Sequence, residues 1–295
     1  MMDEAVPYSR DTLAVEGGRL AYGRWGNPSA PAVIALHGVT STHMDWLHVG
    51  RAAHGELHVV APDLRGRGAS ADIAGPWGMD VHARDVIALI DHLGLDRAVL
   101  VGHSMGGFVA VMTAVHFPGR VAGILLVDGG LPAVEANAGG DELTRIVLDG
   151  ARARLEQRFT APEAYLDALA AQAGGVPLDA DAARIARYDL VDADEGTVRI
   201  AGSYAAIEAD ATHITGDASD LTLRRLNTPA LLLRAGRGLP PREEGLYSAR
   251  EVAEWTARVD SLESIDLPTA DHGSIIRDPE HVAEVVRRAA ALHNL

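Results

Sequence analysis

Five short, almost unbroken apolar runs limit what this chain can fold into: Ala32–Leu36, His58–Ala61, Ala98–Val101, Gly123–Val127 and Ala230–Leu233. Runs of this length without polar alternation read as strands buried on both faces, the habit of a parallel sheet. Helical periodicity separates them. Met79–Leu93 lays Val86, Ile87, Leu89, Ile90 and Leu93 along one side, and helical patterns also cover Phe108–His116, Glu251–Val259 and His281–Leu292. This alternation predicts an α/β fold with a doubly wound, mostly parallel sheet. Thr12–Val15 and Arg19–Arg24 flank Gly17-Gly18 and predict an antiparallel hairpin at one edge.

The alternation stops over residues 131–226, where the pattern turns helical: Asp141–Phe159, Pro162–Gln172 and Ala180–Tyr188. Thr160, Pro162 and Glu163 form a helix-start signal. The expected organisation is a core of residues 1–130 and 227–295 with an inserted helical cap of residues 131–226. Such a cap would lie over the C-terminal edge of the sheet, where open α/β sheets bind ligands.

Composition narrows the chemistry. The net charge of -15, from 41 acidic against 26 basic residues, argues against nucleic acid or an anionic membrane surface as the main partner. There is no cysteine, so thiol nucleophiles, thiolate zinc sites, iron–sulfur clusters and disulfides are excluded. All 26 basic residues are arginine, so Schiff-base chemistry and a P-loop lysine are excluded too. The opening residues Met1–Arg10 carry acids where a signal peptide needs bases, and no stretch approaches the ~20 apolar residues of a membrane helix. A cytoplasmic protein without a membrane partner is expected.

The chemical motif is Gly102-His103-Ser104-Met105-Gly106-Gly107, directly after an apolar run and before a helical segment. This is G-x-S-x-G in the strand–turn–helix setting the motif requires. The tight turn forces Ser104 into a strained backbone conformation, and side chains at 102 and 106 would collide. The hydroxyl then stands at a helix N-terminus, where the helix dipole and the Met105 amide face developing negative charge. No G-x-G-x-x-G or P-loop spacing supports a nucleotide site. His54 and His58 have helical metal-pair spacing, but Gly55 and the strand starting near His58 argue against it; no metal and no cofactor are expected.

With these residues in view, the chain resembles the α/β-hydrolase superfamily, in the form with a helical cap. His37-Gly38-Val39 matches the family's oxyanion turn, and Asp63-Leu64-Arg65-Gly66-Arg67-Gly68 matches its D-x-R-G-x-G turn. Gly102–Gly107 matches the nucleophile elbow and Asp271-His272-Gly273 the histidine loop. The match covers roughly residues 12–130 and 227–292 and leaves the middle block unassigned. The resemblance implies Ser104 as nucleophile, His272 as base, and an oxyanion hole from the backbone N–H groups of Met105 and Val39. Many relatives carry the acid after the strand that follows the cap, but here Leu231–Pro240 contains none before Glu243. Other members, haloalkane dehalogenases and certain lactonases among them, carry it after the strand following the nucleophile helix. There Gly123–Val127 runs into Asp128-Gly129-Gly130. Asp128 is therefore assigned, with Glu243 and Glu244 in reserve.

Of the remaining candidates, Asp63 and Arg65 read as turn-stabilising residues and His103 as packing in the elbow. Thr40, Ser41, Thr42 and Trp46 are candidates for the pocket wall, Trp46 equally for helix packing. His43, His48, His54 and His58 read as solvated, and His82 and His92 as parts of an amphipathic helix. The expected function is a cofactor-independent serine hydrolase acting on a carbonyl-bearing small molecule, a carboxylic ester or lactone. The alternatives are a meta-cleavage-type C–C bond hydrolase, an acyl transfer enzyme on the same triad, or a ligand-binding protein with little turnover. Sequence leaves the substrate and the oligomeric state open.

Overall fold

All five apolar runs are strands of one sheet. In the structure, a computed structural model describing residues 7–132, 140–172, 174–215, 217–238 and 244–293, the chain opens with the edge hairpin β1 (Tyr8–Val15) and β2 (Gly18–Trp25). Next come β3 (Ala32–Leu36), α1 (Leu47–Ala52), β4 (His58–Pro62), α2 (Met79–His92), β5 (Ala98–His103), α3 (Met105–His116) and β6 (Val121–Val127). The inserted block holds α4 (Gly140–Glu156), α5 (Pro162–Gln172), α6 (Ala180–Tyr188), β7 (Leu190–Asp192), β8 (Val198–Ile200), α7 (Tyr204–Thr215) and α8 (Asp217–Leu223). The chain closes with β9 (Ala230–Arg237), α9 (Ala249–Arg258), β10 (Leu262–Asp271) and α10 (Pro279–Leu292).

The eight-stranded sheet runs β1-β2-β4-β3-β5-β6-β9-β10. The pairings β1–β2 and β2–β4 are antiparallel and all the others are parallel. The two-residue period of a strand explains why both faces are apolar. Ile34 and Leu36 of β3 and Leu100 of β5 face a core shared with Val86, Leu89 and Ile90 of α2 and Val109 of α3. The residues between them, Val33, Ala35, Val99 and Val101, face a second core with Leu47 of α1 and Val282, Val285 and Val286 of α10. Three layers thus bury β3, β4 and β5 completely, as the unbroken apolar runs demand.

The inserted block departs from the expectation in one respect. Besides helices it carries the short antiparallel hairpin β7–β8, Leu190 pairing with Ile200 and Asp192 with Val198. Three-residue strands are too short to show a period. Among the described residues no helix is long and apolar enough to cross a membrane.

The parallel strands end at one edge. Ser104 follows β5, Asp128 follows β6, and His272 follows β10. The histidine loop is fastened at its base, where the Asp271 carboxylate accepts from the backbone N–H groups of Gly273 at 3.0 Å and Ser274 at 2.8 Å.

Candidate active site

The turn between β5 and α3 puts Ser104 at φ 53°, ψ -122°, a strained conformation for a residue with a side chain. The flanking glycines have steric causes. A Cβ on Gly102 would lie 2.3 Å from the Gly106 carbonyl oxygen, and one on Gly106 would lie 2.1 Å from that of Leu36. Met105 opens α3, so its N–H belongs to the first turn and has no intrahelical acceptor. The turn after β3 lies alongside: a Cβ built on Gly38 would fall 3.7 Å from Ser104 Oγ. His37 holds that turn. Its Nε2 accepts from the Leu64 N–H at 2.9 Å, which leaves Nδ1 to donate to the Gly38 carbonyl at 2.7 Å. Burial pushes His37 down to about 4, so it is neutral, as this pair of bonds requires.

Asp128 is fully buried, with φ 43°, at the end of β6. Both of its oxygens are engaged. Oδ1 accepts from the Ala235 N–H of β9 at 3.1 Å, and Oδ2 lies 2.7 Å from His272 Nδ1. The carboxylate therefore accepts a hydrogen bond from Nδ1–H and leaves Nε2 of His272 as the ring's acceptor. Of the reserve acids, Glu244 is exposed and bridges to Arg237 through the backbone, and Glu243 lies outside the described residues.

His103 does more than fill space. Its Nε2 donates to the His272 carbonyl at 2.8 Å, and its ring packs against the His272 ring with centroids 4.6 Å apart. Burial, reinforced by the neighbouring His272, pushes His103 down to about 4 and keeps it neutral. Asp45 joins the loops on either side. It accepts from Ser41 Oγ in the turn after β3 and from Arg277 at 3.2 Å beyond the histidine loop.

Arg67 connects the inserted block to the site. Its guanidinium donates to the Val39 carbonyl at 2.9 Å, to the Arg65 carbonyl at 3.0 Å, to Met105 Sδ at 3.7 Å, and to Asp210 of α7. Asp210 also meets His82 Nε2 at 2.9 Å. Burial alone would raise the Asp210 carboxyl, but His82 and Arg67 outweigh it and hold the group down to about 2. A depressed carboxylate contributes stability above its unfolded pKa, and that contribution is lost as pH falls through about 2. Asp210→Asn leaves Arg67 buried with no counter-charge, an expected loss of about 3–5 kcal/mol by chemical denaturation. A loss below about 1 kcal/mol would show that the pair does not clamp the block.

Other expectations meet mixed outcomes. Asp63 and Arg65 do stabilise their turn: Arg65 makes two bonds of 2.7 Å to Asp85, and Asp63 accepts from the Ala69 N–H at 2.9 Å. Trp46 is wholly buried among the residues packed on α1, so it belongs to the core. Two histidines read as solvated are not. His58 is buried, and His43 is buried against Asp63 at 2.7 Å and Tyr8 at 2.9 Å. The partners of His43 are distant in sequence, which is why local context misplaced it; His58 is buried because it opens the fully buried strand β4. His82 was read as part of an amphipathic helix, and the structure adds its bond to Asp210. The roles of His103, Arg67 and Asp210 were missed; for Arg67 the only signal was its place in the D-x-R-G-x-G turn. Among the described residues no group of three or more histidines and carboxylates could hold a metal ion.

The sequence model described as the alpha/beta hydrolase family matches residues 33–287. The chain belongs to this family. Lipase LipV of Mycobacterium tuberculosis is 35% identical over 231 residues, covering 74% of this chain and 78% of that protein. A 3-oxoadipate enol-lactonase of Acinetobacter baylyi is 33% identical over 133 residues, 45% of this chain and 50% of the lactonase. The fold itself matches the crystal structure of an E-2-(acetamidomethylene)succinate hydrolase with a TM-score of 0.78 at 24% identity, over 97% of this chain and 100% of that one. The architecture is thus an α/β-hydrolase fold, and the family is one of hydrolases.

Proposed function

We propose that this α/β hydrolase is a serine hydrolase cleaving a carboxylic ester or lactone through an acyl-enzyme. The observation that carries the reading is the 2.7 Å contact of His272 Nδ1 with the buried Asp128 carboxylate, at the sheet edge that also carries the strained Ser104. In the first step Nε2 of His272 takes the Ser104 proton while Oγ forms a bond to the substrate carbonyl carbon. The carbonyl electron pair moves to oxygen, which the N–H groups of Met105 and Val39 receive. The tetrahedral intermediate collapses, the C–O bond to the leaving group breaks, and His272 gives its proton to the departing alkoxide. Water then gives a proton to His272 and bonds to the acyl carbon; as this second intermediate collapses, the bond to Oγ breaks, the acid leaves and His272 returns its proton to Ser104. Each proton has a side chain to hold it, so no step calls for a cofactor. The helices and hairpin between β6 and β9 act as the cap over this edge.

Relatives named lipase and enol-lactonase support a carbonyl–oxygen bond as the target. The test is labelling by a fluorophosphonate probe followed by peptide mass spectrometry. Stoichiometric modification at Ser104, blocked by prior denaturation, is expected. A folded protein that the probe leaves unmodified would overturn the reading.

A further inference from the structure

Val39 carries one of the two N–H groups assigned to the oxyanion hole, and the structure pins this residue from both sides. On one side the Gly38 carbonyl accepts from His37 Nδ1 at 2.7 Å and from the Ser41 N–H at 3.2 Å. That carbonyl and the Val39 N–H are opposite ends of one planar trans peptide, so fixing the first aims the second. On the other side the Val39 carbonyl accepts from Arg67 Nε at 2.9 Å. The same guanidinium reaches the residue that carries the second amide, with Nη2 3.7 Å from Met105 Sδ. His37 stands in the turn it holds. Arg67 stands in another turn, after β4, and ties the two oxyanion residues together from outside.

The inserted block is what holds Arg67. The Arg67 side chain is buried and paired with the fully buried Asp210 of α7. Burial pulls the guanidinium below its ordinary value, and Asp210 is the carboxylate that opposes this. The chain leading into α7 also sits on the turn that carries Arg67. The Ser203 N–H donates to the Gly66 carbonyl at 2.9 Å, and a Cβ on Gly66 would lie 2.3 Å from the Ala206 Cβ. Without Asp210, Arg67 would be a buried cation with no counter-charge, a state relieved by turning the guanidinium toward water and away from Val39.

We infer that the inserted block is part of the scaffold of the oxyanion hole: Arg67, held by Asp210, positions Val39 and Met105 for the transition state. Both residues are positioning residues; neither touches the substrate. This rests on the serine-hydrolase reading and on its assignment of the two amides. A clamp role alone would govern stability or substrate entry and leave the transition state untouched in the folded protein.

Arg67→Lys separates the two roles. Lysine puts a methylene where Nε stands and an ammonium near the place of Cζ, so the charge facing Asp210 stays and the donor to Val39 goes. Hydrolysis of p-nitrophenyl butyrate by the full chain is measured together with inhibition by phenylboronic acid, whose tetrahedral adduct on Ser104 presents an oxygen to the same two amides. Both kcat and kcat/KM should fall by on the order of 10–100-fold, less than the loss of an oxyanion donor outright. KM should stay within about threefold, and boronate affinity should fall with kcat. A denaturation curve on the same preparation should show the fold kept. Arg67→Met combined with Asp210→Asn is the second variant. It leaves no buried charge unpaired, and the asparagine oxygen can still accept from His82 Nε2, so it should fold and show the same loss. Arg51→Gln removes the bridge from α1 to Asp181 of α6, elsewhere on the block, and should leave all three quantities within about a factor of two. Either Arg67 variant, folded, with unchanged kcat and boronate affinity, or with a loss confined to KM, would overturn the inference. So would an equal loss in Arg51→Gln. Ser104-dependent hydrolysis that these variants leave intact overturns this inference alone. Absence of both hydrolysis and fluorophosphonate labelling in the wild type overturns the serine-hydrolase reading with it.

Discussion

Ser104→Ala should lower kcat by about 10³-fold or more on any substrate the wild type turns over, and leave the fold intact. The loss follows from the division of labour at the elbow. In the proposed mechanism the hydroxyl is the group that bonds to the substrate carbonyl, and no cysteine or lysine exists to replace it. What survives the substitution is binding and the oxyanion amides, which belong to the backbone and stay in place. The fold should survive because one half-buried oxygen is removed and alanine bears the same β-carbon at φ 53°. The unfolding free energy should stay within about 0.5 kcal/mol of wild type. Steady-state kinetics with a denaturation curve on the same preparation checks both halves. A variant that keeps near-wild-type turnover overturns the assignment of the nucleophile; one that fails to fold shows that Ser104 also supports the turn.

Much of this site was legible because its causes are local. The elbow needs a strand, two small residues and a helix start, and all of them lie within the segment Ala98–Gly107. The apolar runs announced β3, β4, β5, β6 and β9 because burial on both faces removes polar alternation. Contacts between distant residues were a different matter. Asp210 meets Arg67 across 143 positions and His82 across 128, and no spacing rule links residues so far apart. The same limit misplaced His43, which is enclosed by Asp63, Tyr8 and the ring of Tyr188, three residues from three parts of the chain. His103 could be placed in the elbow, but its bond to the His272 carbonyl depends on a loop 169 residues away. Asp128 and His272 are 144 residues apart. That pairing came within reach only because the family resemblance supplies the order of the parts and the loop after β9 offers no acid where one would be needed.

Asp128→Asn should cost roughly 10²–10⁴-fold in kcat, with KM changed much less. The carboxylate has two acceptor oxygens and uses both, one for the Ala235 N–H at 3.1 Å and one for His272 Nδ1 at 2.7 Å. An amide has one oxygen and one NH2 group, so it cannot satisfy both donors. If its oxygen serves Ala235, its NH2 faces Nδ1. The imidazole must then move its proton to Nε2, and the nitrogen that should take the serine proton is blocked. If its oxygen serves His272, the tautomer is preserved, but two donors oppose each other beside Ala235 in a fully buried site, at a cost of about 1–3 kcal/mol. The first arrangement is the one the fold prefers, because the β9 amide is fixed in the sheet whereas the imidazole can change tautomer. The variant should also lose its support for the imidazolium that forms as the serine proton is taken. Glu244→Gln is the matching control. Its carboxylate is exposed, so the change should leave kcat within about a factor of two. A crippled Glu244→Gln beside a mild Asp128→Asn would move the acid to the loop after β9 and dissolve the reading of the buried pair as the engine of the site.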